Sequence, residues 1–346
     1  MGLFKNVIEP ASIALAFTAG TLINRRRLKP QRYQRDLESI PDYISAEKKT
    51  DDASSASHRK GGSNSSNKGG SNSLVFRVLS WIYGTFPFLS EIWYWLLTYW
   101  VYQLSRAFTA RAIAPYPQIY LVAKQHALQL LAIEEFLHID FEQAFQEYIL
   151  TKHAYIMPLL RHIYHSHIII GVVFIVYIYT FLPPPLFRRI RRTIAMDNFI
   201  AFIIISLWRC YPPRMLPPEY GFIDILHEGK TGSVWTHNRF RLTIAAMPSL
   251  HFGTSVLFAV CLARFSPHLV MRVLAPLWPV AMFVTVVATA NHFVLDIVVG
   301  AIIPLLGWRW NRAILVLEGV QDWVFSPVIE RMDWSFGGEA RREVER

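Results

Sequence analysis

The stretch NHFVLDIVVGAIIP, Asn291 to Pro304, decides how this chain reads. It is an apolar run of the kind that crosses a bilayer, yet it carries a histidine and an aspartate four positions apart. On a helix, positions i and i+4 share a face, so His292 and Asp296 are placed to touch. Burying ionisable groups in lipid is costly, so such a pair marks a functional site. A carboxylate held against one imidazole nitrogen fixes the tautomer and makes the other nitrogen a better base or nucleophile.

The rest of the chain has the same character. Of its 346 residues, 53% are hydrophobic, and the mean hydropathy is +0.26. Several segments reach the roughly 17–25 mostly apolar residues that a membrane-crossing helix needs. The expected fold is all-α, a polytopic membrane helix bundle of six to seven transmembrane helices. The net charge of +10 lies largely in clusters flanking apolar runs, which fits membrane topology and argues against nucleic acid as a partner. Cys210 and Cys261 sit in apolar segments and read as buried small residues, not as a disulfide framework.

Seven spans are expected. They run from Val7 to Asn24, Phe86 to Leu104, His167 to Leu182 and Asp197 to Cys210, then start at Pro248, near Val270 and at about Phe293. The first ends in Arg25-Arg26-Arg27, as in a membrane anchor and not a cleaved signal. Four regions follow: an anchor over 1–27, a linker over 28–74, a membrane domain over 75–312 with its core at 160–310, and a polar tail over 313–346. The linker is Ser, Gly and Lys of low complexity and cannot bury a core. Residues 113–163 read as amphipathic helices, with Glu134 and Glu135 on a solvated face. Pro183-Pro184-Pro185 closes the third span, and Arg188 to Arg192 stand between it and the fourth.

The basic clusters at Arg25–Arg27, Arg188–Arg192 and Arg309 with Arg312 all follow odd-numbered spans. They therefore share one side, the cytoplasmic one. Arg106 and Arg111 fall on the opposite side, against the rule. That opposite, lumenal side also receives Arg214, His251 and His292, three polar residues distant in sequence.

Each brings a chemistry. In AAMPSLHFGTS, Pro248 suits the first turn of a helix, which puts His251 in that turn. A helix N-terminus presents free N–H groups and positive dipole to a phosphate, and Ser249 adds a hydroxyl. In YPPRML, Arg214 offers a planar, permanently charged fork for phosphate oxygens. Most of the 12 histidines, including His153, His162, His165, His167, His227 and His237, read as interfacial residues. Of these, His167 at the start of span three could reach a pocket.

The series Pro212-Pro213-Arg214, Ala246-Met247-Pro248-Ser249-Leu250-His251 and Asn291-His292 through Asp296 to Gly300 resembles the motifs of the type-2 phosphatidic acid phosphatase superfamily. These are the lipid phosphate phosphatases, and the wording is closest to the fungal branch containing inositol phosphorylceramide synthase. The resemblance implies a phosphohistidine on His292, held by Asp296, with His251 protonating the departing oxygen. It implies phosphoryl-oxygen ligands at Arg214 and Ser249. It requires no metal or other cofactor, and vanadate should inhibit. The implied partners are membrane lipids: a phosphoinositide or lipid phosphate donor, and ceramide as acceptor in the synthase reading. The implied setting is the lumenal face of the Golgi or endoplasmic reticulum.

Two cations of the broader superfamily are missing. Leu207 stands where a Lys is usual, and Thr285-Val286 stand where Ser-Arg is usual. Arg209, Arg239 and Arg241 are candidate substitutes. Three functions stay open: transfer to an alcohol acceptor, hydrolysis of a lipid phosphate or isoprenoid diphosphate, and a non-catalytic membrane protein with a decayed site. A channel would need paired charges deep in several spans, and the charges here lie mainly near span ends.

Overall fold

The computed structural model describes residues 2–25, 82–226 and 242–317. The Ser/Gly/Lys linker, Arg239, Arg241, His227, His237 and the tail beyond 317 lie outside the described residues. Ten α-helices organise the described chain: α1 (Gly2–Ile23), α2 (Phe88–Ile113), α3 (Pro117–Phe136), α4 (Glu142–Lys152) and α5 (Met157–Phe181), then α6 (Pro184–Leu207), α7 (Leu250–Phe265), α8 (Leu269–Leu274), α9 (Leu277–Ala288) and α10 (Val294–Trp310). There is no strand among the described residues. A lone bridge joins Cys210 to Ala245.

Three helical stretches are long and apolar enough to cross a membrane: Ala154–Phe181, Leu269–Ala288 and Val294–Val316. Pro10–Ile23 and Leu250–Phe265 are apolar but shorter. The expected α-helical architecture of an integral membrane protein is therefore present. Leu15, Phe108, Leu207 and Leu305 face outward, an arrangement that would be unfavourable in water and suits acyl chains. The inward faces of α1, α2, α5, α6 and α7 pack around Phe17, Phe88, Val172, Ile178, Phe187 and Phe258.

The fourth span departs from expectation. Arg188 to Arg192 do not form a connection; they ride on the first turns of α6, which begins at Pro184. Proline lacks the N–H that a first helical turn leaves unpaired anyway, so the Pro-rich stretch starts the helix and the arginines follow inside it. The second span also runs further than expected, to Ile113.

Side-chain contacts set the two ends of the bundle. Asn24, closing α1, donates to Thr180 near the end of α5 at 2.9 Å. The Arg189 guanidinium lies 4.1 Å from the Trp308 ring, and Arg192 Nε donates to Asn311 at 3.3 Å. Arg25 after α1, the arginines at the start of α6 and Arg309 at the end of α10 thus lie at one end. The N-termini of α7 and α10, with the Pro213–Met215 turn, lie at the other.

Candidate active site

Two glycines let α7 and α10 cross with their backbones touching. A Cβ on Gly253 would overlap the Gly300 carbonyl oxygen, and a Cβ on Gly300 would overlap that of Ser249. At this crossing the Ser249 N–H donates to the Asp296 carbonyl at 3.0 Å. The segment carrying His251 is thereby bonded directly to the segment carrying His292.

The two histidines face one another. Their ring centroids stand 6.5 Å apart, and both rings line a cavity of about 630 Å³. His251 is the second residue of α7, in its first turn as expected. Pro248 is not in that turn: Ser249 is the N-cap, so the proline precedes the helix. Tyr164 stacks on the His251 ring at 4.4 Å and fixes its plane.

His292 and Asp296 do meet, though not on one helix. α10 begins only at Val294, after an extended Phe293, so His292 lies in the approach to the helix. The contact forms because Asp296 sits in the first turn and turns back. Its Oδ2 accepts the Phe293 N–H at 3.0 Å and stands 3.6 Å from His292 Nδ1. The second distance is within ion-pair reach but longer than a hydrogen bond. Asp296 is fully buried behind His292, away from the cavity. With a carboxylate beside Nδ1, the proton of the neutral ring belongs there, which leaves Nε2 with its lone pair.

Arg214 reaches the same cavity from the Pro213–Met215 turn. Its N–H donates to the Ala290 carbonyl at 3.0 Å, and Nη1 donates to Asn291 Oδ1 at 2.5 Å. Asp224 Oδ2 lies 3.5 Å from its Nε. Ala290 adopts the left-handed region, φ +49°, which non-glycine residues rarely occupy. The loop that presents His292 is thus held in an uncommon backbone shape, tied on one side to Arg214. Asn291 secures the other side through its amide, 2.6 Å from Thr289 Oγ1.

Not every expected ligand reaches the cavity. Ser249 is fully buried with its hydroxyl unpartnered among the described residues, and it does not line the cavity. Arg209 does not line it either. Leu207 is 79% exposed on the outer surface, so a cation at that position would point away. Thr285 and Val286 are buried off the cavity.

Other residues sit where the sequence did not place them. His165, expected among the interfacial histidines, lines the cavity; so does His167, for which the sequence left that place open, and its ring centroid is 5.1 Å from that of His251. Glu134, expected on a solvated face, is fully buried. Its Oε1 accepts the Leu295 N–H at 2.6 Å, and Glu142 Oε1 accepts the Val294 N–H at 2.7 Å. Two carboxyls thus cap the N-terminus of α10, immediately after His292, where free N–H groups attract acidic groups. The remaining oxygen of each finds no N–H or O–H donor among the described residues. A proton held between the two carboxyls would satisfy both. Burial first, and Glu142 second, push the Glu134 carboxyl up to about 9.

No match is found among curated proteins or among solved structures. The model of one family, described as the PAP2 superfamily, matches residues 128–310. That span begins in α3, ends with α10, and contains Arg214, His251, His292 and Asp296, while the part of the cavity wall that α2 supplies lies before it. By this match over more than half its length, the chain belongs to the PAP2 superfamily.

Proposed function

We propose that this protein is an integral membrane phosphotransferase that moves a phospho-alcohol group between lipids through a phosphohistidine on His292. One observation carries the reading: the His251 and His292 rings and the Arg214 guanidinium line one cavity, with the rings 6.5 Å apart. Superfamily membership supplies the general activity, phosphatase or phosphotransferase.

In the first step His292 Nε2 attacks phosphorus. The P–N bond forms, the P–O bond to the leaving lipid alcohol breaks, and His251 gives its proton to that oxygen. In the second step an acceptor hydroxyl attacks phosphorus, its proton passes to His251, and the P–N bond breaks. Asp296 holds the His292 tautomer and stabilises the charge that develops on the ring. Arg214 binds phosphoryl oxygens while Asn291 and Asp224 keep its fork in place. Ser249 completes this set in the family scheme, through a rotation that brings its buried hydroxyl to the phosphoryl group.

The donor we assign is a phosphoinositide, phosphatidylinositol in the synthase-like reading, with ceramide as acceptor. The site opens on the non-cytosolic leaflet of a Golgi or endoplasmic reticulum membrane. That side is supported by Arg25, the arginines at the start of α6 and Arg309, which lie at the opposite end of the bundle, since basic residues favour the cytoplasm. The test is a purified-protein assay with labelled phosphatidylinositol, with and without ceramide. A ceramide-dependent product is expected. Release of free phosphate or phosphoinositol, independent of ceramide, identifies a hydrolase instead. Turnover that survives His292→Ala refutes the enzymatic reading altogether.

A further inference from the structure

We propose that Arg106 is the second phosphoryl-binding cation of this site, so that α2, outside the segment matched to the family, is part of the active site. The proposal rests on the phosphotransfer reading above and extends it to a residue that reading does not use.

The positions at which the superfamily usually carries its further cations cannot serve here. Leu207 faces outward, and Thr285 and Val286 are buried off the cavity. A phosphodiester whose non-bridging oxygens gain negative charge as phosphorus becomes five-coordinate, in a water-poor site, needs more than one positive partner.

Among the described residues three arginines line the cavity: Arg106, Arg191 and Arg214. Arg191 is paired with Glu91 at 2.6 Å, four to five turns along α2 from Arg106. Fifteen residues of helix put that pair about 22 Å away, toward the opposite end of the bundle. Arg214 is near Asp224 and bonded to Asn291. Arg106 has no carboxylate partner among the described residues. Its Nη2 makes one long contact with the Leu242 carbonyl at 3.4 Å, and its Nε is buried without an acceptor. A buried guanidinium N–H left unmet is costly, and an anion entering the cavity would satisfy it.

The placement fits the chemistry. Tyr102 lies beneath the guanidinium, 5.5 Å from its centre, and limits its swing. Leu242 begins the described segment that leads into Pro248 and His251. Arg106 and His251 line the same cavity. Topology adds a separate argument. Arg106 lies near the end of α2 that the positive-inside rule would leave without basic residues. A cation retained against that tendency, turned into the cavity and lacking a counter-ion among the described residues, has a use for an anion.

The test uses the full-length chain in detergent, with orthovanadate as the probe. Wild type should be stabilised against heat by vanadate and inhibited by it. Arg106→Gln should weaken vanadate binding at least about tenfold and lower kcat/KM by about 10²–10³, the usual loss for one donor to a developing phosphoryl charge. Arg106→Lys should fall between the two, because a point charge replaces the fork. Arg111→Gln, an exposed position on the same helix, should match wild type in both measurements.

If Arg106→Gln yields no folded protein, Arg106→Lys decides: a weakening of about threefold or more supports the assignment, and an unchanged affinity overturns it. A folded Arg106→Gln that loses less than tenfold also overturns it. A wild type that neither binds vanadate nor turns over lipid defeats the phosphotransfer reading and takes this assignment with it. A wild type that does both while Arg106→Gln equals it defeats only this assignment.

Discussion

The Ser249 N–H is bonded to the Asp296 carbonyl at 3.0 Å, directly beside the crossing of Gly253 over Gly300. This bond sets the distance between the two histidines, because each histidine stands within a few residues of one of its ends. The first prediction follows from the crossing. Gly253→Ala and Gly300→Ala each force a methyl group into a backbone carbonyl, which no side-chain rotation can relieve. Each should cost about 1–3 kcal/mol or more, the range for overpacking a tight contact, and each should abolish turnover by separating α7 from α10. Gly171→Ala is the control. Its new methyl would come no nearer than 3.6 Å to Phe258, an ordinary contact. Thermal unfolding in detergent and lipid turnover check all three, and a Gly300→Ala enzyme of normal activity would contradict the account.

The two histidines should differ in how they fail. His292→Ala removes the nucleophile and should leave no turnover of any substrate. His251→Ala removes the general acid and should cost about 10²–10⁴ on a lipid substrate. That loss should shrink sharply with an aryl phosphate, whose phenolate departs without being protonated. Equal losses on both substrates would exclude His251 as the acid. Asp296→Asn should retain the fold contact to the Phe293 N–H while lowering turnover, since an amide does not fix the same tautomer.

Much of this arrangement was legible in the sequence. The apolar runs, the basic clusters and the three short motifs located the helices and brought Arg214, His251 and His292 to one place. The reasons the rest was hidden are specific. His292 was read onto the helix of Asp296, but the helix starts two residues later, and nothing in an apolar run marks that boundary. Glu134 was read as solvated because polar residues on an amphipathic helix usually are. Its partner is the start of α10, 161 residues away, and no local pattern reports so remote a contact. Arg106 did leave a trace, as a basic residue on the wrong side of the membrane. Arg111 breaks the same rule, so the rule alone does not separate the two; the cavity wall does, since it includes Arg106 and not Arg111.

Arg214 tests whether phosphate binding depends on a fork or only on charge. Its guanidinium bonds Asn291, lies near Asp224 and faces the cavity. Lysine keeps the charge but cannot make these contacts together. Arg214→Lys should therefore raise KM and lower kcat, with a combined loss of about 10²-fold or more, comparable to losing one oriented donor. Asp224→Asn, which leaves Arg214 in place, should cost much less. Steady-state kinetics on the same lipid substrate separate the two, and an Arg214→Lys enzyme close to wild type would show that charge alone suffices.

The Glu134–Glu142 pair makes stability depend on pH in a direction opposite to that of ordinary carboxylates. Burial, and then the neighbouring Glu142, raise the Glu134 carboxyl from 4.5 to about 9, although the Leu295 N–H opposes them. The folded value lies above the unfolded one, so folding takes up a proton between these limits. The contribution to stability is complete below the unfolded value of 4.5 and is lost progressively as pH rises toward about 9. Losing that proton places two negative charges together under the N-terminus of α10, one residue beyond the His292–Phe293 step. Glu134→Gln keeps an acceptor for the Leu295 N–H and offers an amide N–H to Glu142, without titrating. Wild-type melting temperature should therefore fall between about pH 5 and pH 9 more steeply than that of Glu134→Gln, and wild-type turnover should decline over the same alkaline range as the helix start loosens. Parallel pH slopes for the two proteins would show that the pair does not share a proton and that α10 is held by other means.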